Sequence, residues 1–351
     1  MKELGIAVIG VGEMGSCHAE NLRSQIPGAR LVAVADVNLE RAESVAQRLN
    51  VDSYDKVEAL MERQDLEAVV ISSPPKFHLP AIQMAAASGK HIFCEKPLTL
   101  GVDEADAALE AVRKAGVFLQ VGHMRRYDPP YVEARKRIEA GEIGQVVIFK
   151  SIGRDQESSP LAASQTAMNG TLFQDSSSHD FDSARWLSGE EVVEVHAYSA
   201  SLAMPEMKNF AAFDSGVINL RFASGAIGNI ESFMHAQYGY DIRTEVVGTK
   251  GTFQIGYLKQ TALVSLTRAG SSHDLVAHWL ARFADAYRRE LADFAQTAGK
   301  GGNPRVTGTD GRQAVAIAVA AVQSQQEGRP VQVQPSRNKQ ADLRQNKPPQ
   351  H

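Results

Sequence analysis

Cysteine is almost missing from this chain: 351 residues carry two, Cys17 and Cys94. They lie far apart and outside any metal-ligand spacing, so neither a disulfide framework nor a zinc centre is expected, and no metal is assigned. Long hydrophobic runs are absent too. The opening "MKELGIAVIGVGEMG" holds one short apolar run broken by glycine, too short to span a bilayer and unlike a signal peptide. Positive charge is not in excess: 37 Lys and Arg stand against 41 Asp and Glu, a net charge of -4, which argues against a nucleic-acid partner. The expectation is a soluble, unprocessed, cytoplasmic protein that binds no nucleic acid and no membrane.

What is present suits a globular protein of two domains. Hydrophobic residues make up 43% and charged residues 22%, enough for a full core in each domain. From residue 5 to about 123, "IAVIG", "RLVAVAD", "LEAVVISS", "HIFCE" and "VFLQVG" read as buried strands, and amphipathic helical stretches separate them. That alternation predicts an α/β doubly wound parallel sheet over residues 1–123. After residue 145 the texture shifts to Val-, Ile- and Thr-rich runs joined by glycine turns such as "FASGA" and "VGTKGT". An α+β domain with an open, mostly antiparallel sheet is predicted over 124–308, with helices at 175–188 and in "HWLARFADAYRRELADFAQTAG". A helix over 309–327, capped by Thr309 or Asp310, belongs to a segment 309–330 expected to pack back on the first domain. The polar tail 335–351 is expected to be disordered.

The first strand runs into Gly10, Gly12 and Gly15 in G-x-G-x-x-G order, and a helix follows. In such a loop one glycine makes the tight turn, the next lets a pyrophosphate reach the backbone, and the last lets helix and strand pack closely. The cofactor-binding residues expected here are Gly10, Gly12, Glu13, Met14 and Gly15. Asp36 ends the next strand, where an acid hydrogen-bonds ribose hydroxyls and repels a 2'-phosphate, so NAD is favoured over NADP; Arg41, one turn on, keeps NADP open. The alternative for Asp36 is a plain helix cap. Ser72, Ser73 and His78 lie around the Pro74-Pro75 strand stop, at the carboxyl edge where ligands bind; the alternative for His78 is simply the start of the next helix.

Glu95, Lys96 and Pro97 end another buried strand. A lysine there can hold a substrate hydroxyl and favour its developing negative charge, unless it is a surface lysine paired with Glu95. In "QDSSSHDFDSAR" Asp175 and His179 stand four residues apart, on one face if the segment is helical. Carboxylate and imidazole so placed form a proton-transfer pair, the acid orienting the ring that takes an alcohol proton. Asp182 could hold the other ring nitrogen, and Asp180 reads as solvated surface. The competing reading is structural: Asp175 or one of Ser176 to Ser178 caps the helix.

"VIGVGEMG", the acid ending "VAVAD", "SSPPKFH", "GKHIFCEKPL" and "QVGHMRRYDPPY" together resemble the glucose-fructose oxidoreductase, inositol dehydrogenase and related (Gfo/Idh/MocA) family, over residues 5 to about 332. The resemblance implies that Lys96 lies between substrate and nicotinamide, that Glu95 and Lys96 border the cofactor, and that the second sheet joins subunits into a dimer or tetramer. "DSSSHDFDSAR" is similar to the inositol dehydrogenases, which implies Asp175 and His179 as the catalytic pair, with Arg126 and Tyr238 on the substrate side. Ser176 to Ser178 replace residues that are often apolar in those enzymes, and Gly153 stands where they tend to carry a histidine. The implied reaction is NAD-dependent oxidation of a ring alcohol of a cyclic polyol, an inositol at its 2-position. The alternatives are a pyranose or amino-sugar dehydrogenase or ketosugar reductase, and a non-catalytic NAD(P)-sensing regulator.

Overall fold

The structure, a computed structural model, describes residues 3–157, 170–210, 212–256 and 259–336. The tail expected to be disordered lies, from residue 337, outside the described residues. Two compact units emerge, one of residues up to Met124 with Tyr287–Val315, the other of Arg125–Ala286 with Ala316–Gln334.

In the first unit β1 (Leu4–Ile9), α1 (Glu13–Ser24), β2 (Ala29–Ala35), α2 (Leu39–Leu49), β3 (Asp52–Tyr54), α3 (Val57–Met61), β4 (Ala68–Ile71), α4 (His78–Ala87), β5 (His91–Glu95), α5 (Val102–Ala115) and β6 (Leu119–Gly122) alternate. The six strands lie in the order β3-β2-β1-β4-β5-β6, every pair parallel. Each residue of β1 and β4 is buried, the mark of strands covered on both faces. The order reverses between β1 and β4, which opens a crevice at their carboxyl ends, where Gly10 and Ser72 follow. Asn38, not Asp36, caps α2 by accepting the Arg41 N–H at 3.0 Å, and Asn50 closes that helix in a left-handed conformation at φ 54°.

The second unit holds α6 (Pro129–Glu139), β7 (Val146–Gln156), α7 (Ser178–Ser188), β8 (Val192–Ala200), β9 (Ser215–Phe222), β10 (Ile227–Ala236), β11 (Asp241–Gly248), β12 (Thr252–Ile255) and the hairpin of β13 (Val264–Thr267) and β14 (Gly270–His273). With β15 (Val331–Gln332) the larger sheet runs β12-β11-β7-β10-β9-β8-β15. Its pairs are antiparallel except β7 with β10, which are parallel. β9 alternates buried and exposed residues, leaving one face of the sheet outside the core.

Two helices differ from expectation. The long helix α8 (Trp279–Lys300) joins the first unit from Tyr287 onward, because Leu291, Phe294 and Ala295 bury themselves among Val8, Leu22, Leu31 and Phe93. The last helix, α9 (Gly308–Glu327), is capped by Thr307 rather than by Thr309 or Asp310: Asp310 Oδ2 accepts the Thr307 N–H at 2.9 Å, and Thr307 Oγ1 accepts the Asp310 N–H at 3.2 Å. Its first turns pack within the first unit, since a Cβ on Gly311 would meet Val121 Cγ2 at 2.8 Å.

Candidate active site

The three loop glycines separate into two kinds. Gly10 has φ +84°, and a Cβ there would meet the Ser73 nitrogen at 2.6 Å; on Gly15 a Cβ would come within 1.8 Å of the Gly10 carbonyl oxygen. Those two are demanded by packing. Gly12, at the N-cap of α1, has no atom within 4 Å of its would-be Cβ. Its open side is a cradle that a side chain would fill, at a helix start whose N–H groups favour an anion, and a dinucleotide pyrophosphate fits it.

Asp36 is buried against this loop. Its Oδ2 accepts the Val11 N–H at 3.0 Å and its Oδ1 the Asn38 N–H at 2.9 Å, while Arg41 Nη1 stands 3.5 Å away. The acid thus shapes the loop and retains lone pairs for further donors. After β4 the Ser73 hydroxyl is buried and, among the described residues, has no hydrogen-bond partner, as a group waiting for a ligand would be.

His78 has a structural task. Its Nε2 lies 2.7 Å from the Ser73 carbonyl oxygen and its Nδ1 3.0 Å from that of Pro97 and 3.2 Å from that of Leu98. Both ring nitrogens face the protein, so the residue ties the loop after β4 to the loop after β5 and supports the site from beneath. Burial pushes its pKa below the ordinary histidine value, against the pull of those carbonyls.

β5 delivers Glu95 and Lys96 to the same edge, and the Lys96-Pro97 bond is cis. The Glu95 side chain turns inward: Oε1 meets His18 Nε2 at 2.7 Å and Oε2 accepts the Lys96 backbone N–H at 3.0 Å. Burial raises the Glu95 pKa, but the hydrogen bond and charge of His18, aided by Lys96, outweigh it and hold the carboxyl below its usual range. Glu95 therefore braces the lysine from within. Sequence reasoning missed His18, whose place three residues after Gly15 on the loop helix was its available signal.

In the second unit α7 begins at Ser178, so Asp175 lies in the turn before it, its N–H donating to the Thr171 carbonyl at 3.0 Å. The helical face expected to carry Asp175 with His179 is thus replaced by a turn followed by a helix start. Ser177 occupies the N-cap position, but the serine side chains are used elsewhere. Ser177 makes no side-chain cap; its hydroxyl pairs with Ser232 Oγ at 2.7 Å, and Ser176 donates to Asp155 Oδ2 at 2.7 Å. His179 is buried on the first turn of the helix.

The two other acids are corrected more strongly. Asp180, expected as solvated surface, is fully buried; it accepts from Arg125 Nη1 at 2.5 Å and from Ser151 Oγ. Asp182, expected beside His179, instead takes a bidentate bond from Arg126, at 2.8 Å from Nε and 2.6 Å from Nη2. Along β7, Ser151, Gly153 and Asp155 share one face; a Cβ on Gly153 would lie 3.0 Å from Asp180 Oδ2, an oxygen without a hydrogen-bond partner among the described residues. Tyr238 donates to Asp241 at 2.8 Å and accepts from Arg154 at 2.8 Å. Burial raises its pKa, partly offset by Arg154.

The chain is similar to known proteins over most of its length. A family model described as the oxidoreductase family with an NAD-binding Rossmann fold matches residues 4–123, and that family's C-terminal alpha/beta domain matches residues 135–333. Among curated relatives, the scyllo-inositol 2-dehydrogenase (NAD(+)) of Bacillus subtilis is 41% identical over 93% of this chain and 95% of its own. The myo-inositol 2-dehydrogenase of Thermotoga maritima is 35% identical over 94% of this chain and 98% of its own. A crystal structure of scyllo-inositol dehydrogenase from Lactobacillus casei, with bound NAD(H) and scyllo-inositol, superposes with a TM-score of 0.90 at 27% identity, covering 94% of this chain and 99% of that one.

Proposed function

The chain belongs to the Gfo/Idh/MocA oxidoreductase family, and from that premise we infer that it is an NAD-dependent inositol 2-dehydrogenase, oxidising the ring alcohol of myo- or scyllo-inositol to an inosose. The observation that carries this reading is the 41% identity, over nearly the whole chain, to a scyllo-inositol 2-dehydrogenase. The open cradle at Gly12 and the buried acid at Asp36 support NAD as the cofactor.

Each residue then has a role that its chemistry can fill. Gly12 and the first turn of α1, Glu13 to Gly15, receive the pyrophosphate; Asp36 takes the ribose hydroxyls and disfavours a 2'-phosphate. The Ser73 hydroxyl is a further donor to the cofactor, and Ser72 lies beside it. Bound NAD supplies the hydride acceptor for the carbinol carbon. Lys96 holds the substrate oxygen and offsets the negative charge that grows on it. His179 takes the hydroxyl proton, and Asp175 orients the imidazole and favours its charged form. Arg126, itself oriented by Asp182, and Tyr238 complete the substrate side.

Self-association through the second sheet, as a dimer or tetramer, is supported by apolar side chains on its outer face, where Tyr198, Val217 and Ile227 are exposed. A reducing, cytoplasmic location is supported by the free thiols of Cys17 and Cys94. Among the described residues no helix is long and apolar enough to cross a membrane.

The experiment is a panel of myo-inositol, scyllo-inositol and aldopyranoses with NAD and with NADP, read by cofactor absorbance. Turnover of an inositol with NAD is expected. Turnover of pyranoses alone would move the enzyme to a sugar dehydrogenase, and no turnover of any alcohol would favour a sensing role.

A further inference from the structure

Behind Lys96 lies a set of ionisable side chains that the reaction above leaves unused. Glu290, on α8, is wholly buried, and among the described residues neither of its carboxyl oxygens has a hydrogen-bond partner. One oxygen or nitrogen from each of Glu290, His18 and Glu95 lies within 4.8 Å of the other two. Of the three, His18 and Glu95 already form the 2.7 Å pair described above. Gln120 Nε2 donates to the Glu290 backbone carbonyl oxygen at 3.0 Å. Among the described residues, the titratable groups around this carboxyl are Cys17 and His18 from α1, Glu95 from β5, and Tyr287 on its own helix, edge-on to His18 at 6.1 Å.

Charge counting decides the protonation pattern. One imidazole serves two carboxyl groups here, and Glu95 holds the short bond to it. A second carboxylate buried there would have, among the described residues, neither a counter-charge of its own nor a hydrogen-bond donor, a costly arrangement that a neutral acid avoids. Burial pushes the Glu290 carboxyl well above the usual glutamate range, and the charge on Glu95 pushes it the same way.

We propose that Glu290 stays protonated in the folded protein at neutral pH and acts as a positioning residue for Lys96. An ionised Glu290 would compete with Glu95 for His18. The neutral acid leaves the imidazole to Glu95 Oε1, so that Oε2 remains on the Lys96 N–H and fixes the end of β5. The same side chains resemble a zinc ligand set, but two ligands of one tetrahedral zinc stand about 3.3 Å apart given its usual bond lengths. The 2.7 Å between His18 and Glu95 is a hydrogen bond instead. The effect on turnover rests on the role given to Lys96 above; the protonation of Glu290 does not.

The test compares unfolding of the full-length wild type with Glu290→Gln, which keeps the shape and neutrality of the protonated acid, across neutral to mildly alkaline pH. A group whose folded pKa is raised contributes stability that is present below its unfolded pKa and lost as pH rises. Relative to the Gln variant, the wild-type unfolding constant should therefore rise about tenfold per pH unit. A flat or falling ratio would overturn the proposal, and so would stoichiometric zinc in the purified protein that the Gln substitution removes.

The catalytic arm uses Glu290→Leu, expected to lower kcat about tenfold with little change in the KM for NAD, with Glu290→Gln restoring kcat to within about threefold of wild type. A Leu variant with wild-type kcat overturns the positioning role. If Lys96→Met keeps its turnover, the role of Lys96 has failed; the pH dependence of unfolding still decides the proton on Glu290.

Discussion

Arg125 and Asp180 form an ion pair of 2.5 Å with both side chains sealed from solvent, 2% and 0% exposed. Burial opposes the guanidinium charge, yet Asp180, then Tyr131 and Tyr240, raise the Arg125 pKa and keep it charged. A pair of this kind is expensive to break from one side, because the partner left behind is a buried charge without compensation. Asp180→Ala should destabilise the protein by roughly 3–5 kcal/mol in chemical unfolding. A loss near zero, as for a solvated acid, would show that Arg125 finds another partner.

Gly12 and Gly15 should respond differently to alanine. At Gly12 the added methyl enters open space on the protein side, so stability is expected to change by less than about 1 kcal/mol while NAD affinity drops severalfold or more. At Gly15 the methyl would collide with the Gly10 carbonyl, and stability should fall as well. Thermal unfolding and cofactor titration separate the two cases; equal NAD affinity in wild type and Gly12→Ala would remove the cradle from the cofactor site.

His179→Ala should slow oxidation by about 10²–10⁴, the usual worth of a positioned general base, and leave the dissociation constant for NAD unchanged. The decisive readout is single-turnover reduction of NAD beside an NAD titration. Undiminished turnover would transfer the proton-accepting role to another group.

The stability of the protein should depend on pH through His78. Its folded pKa is lowered by burial, so the unfolded chain takes up the proton first; stability is full above the ordinary value of 6.5 and declines as pH falls through it. His91, also lowered by burial, contributes in the same direction. Relative to His78→Asn, the wild type should lose stability between about pH 7.5 and 5.5, by at most about 1.4 kcal/mol per unit. A difference independent of pH would place the same protonation state in both the folded and unfolded chains.

Local spacing was enough to read the parallel sheet, the glycine loop and the strand-end residues Asp36 and Lys96. Each depends on a short-range rule: a glycine that permits φ +84°, an acid that closes a buried strand, a proline that stops one. The antiparallel texture of the second sheet was legible for the same reason, since residues alternate between faces along each strand. The parallel pairing of β7 with β10 was not, because strand neighbours far apart in the chain are chosen by the packing of the whole sheet.

Sequence alone determined which chemical groups the chain carries: a glycine loop after the first strand, an acid closing the second, a strand-end lysine, and an acid and histidine close together in one segment. Tertiary structure decided which of the neighbouring polar groups are committed elsewhere. Asp180 and Asp182 differ by two positions, yet they are bound to Arg125 and Arg126 across more than fifty residues. The Ser177 hydroxyl pairs with that of Ser232 instead of a helix start, and Glu290 comes beside His18 and Glu95 from a helix much further along the chain. The cost of burying a charge or a polar group depends on what surrounds it in space, and a linear pattern does not carry that information.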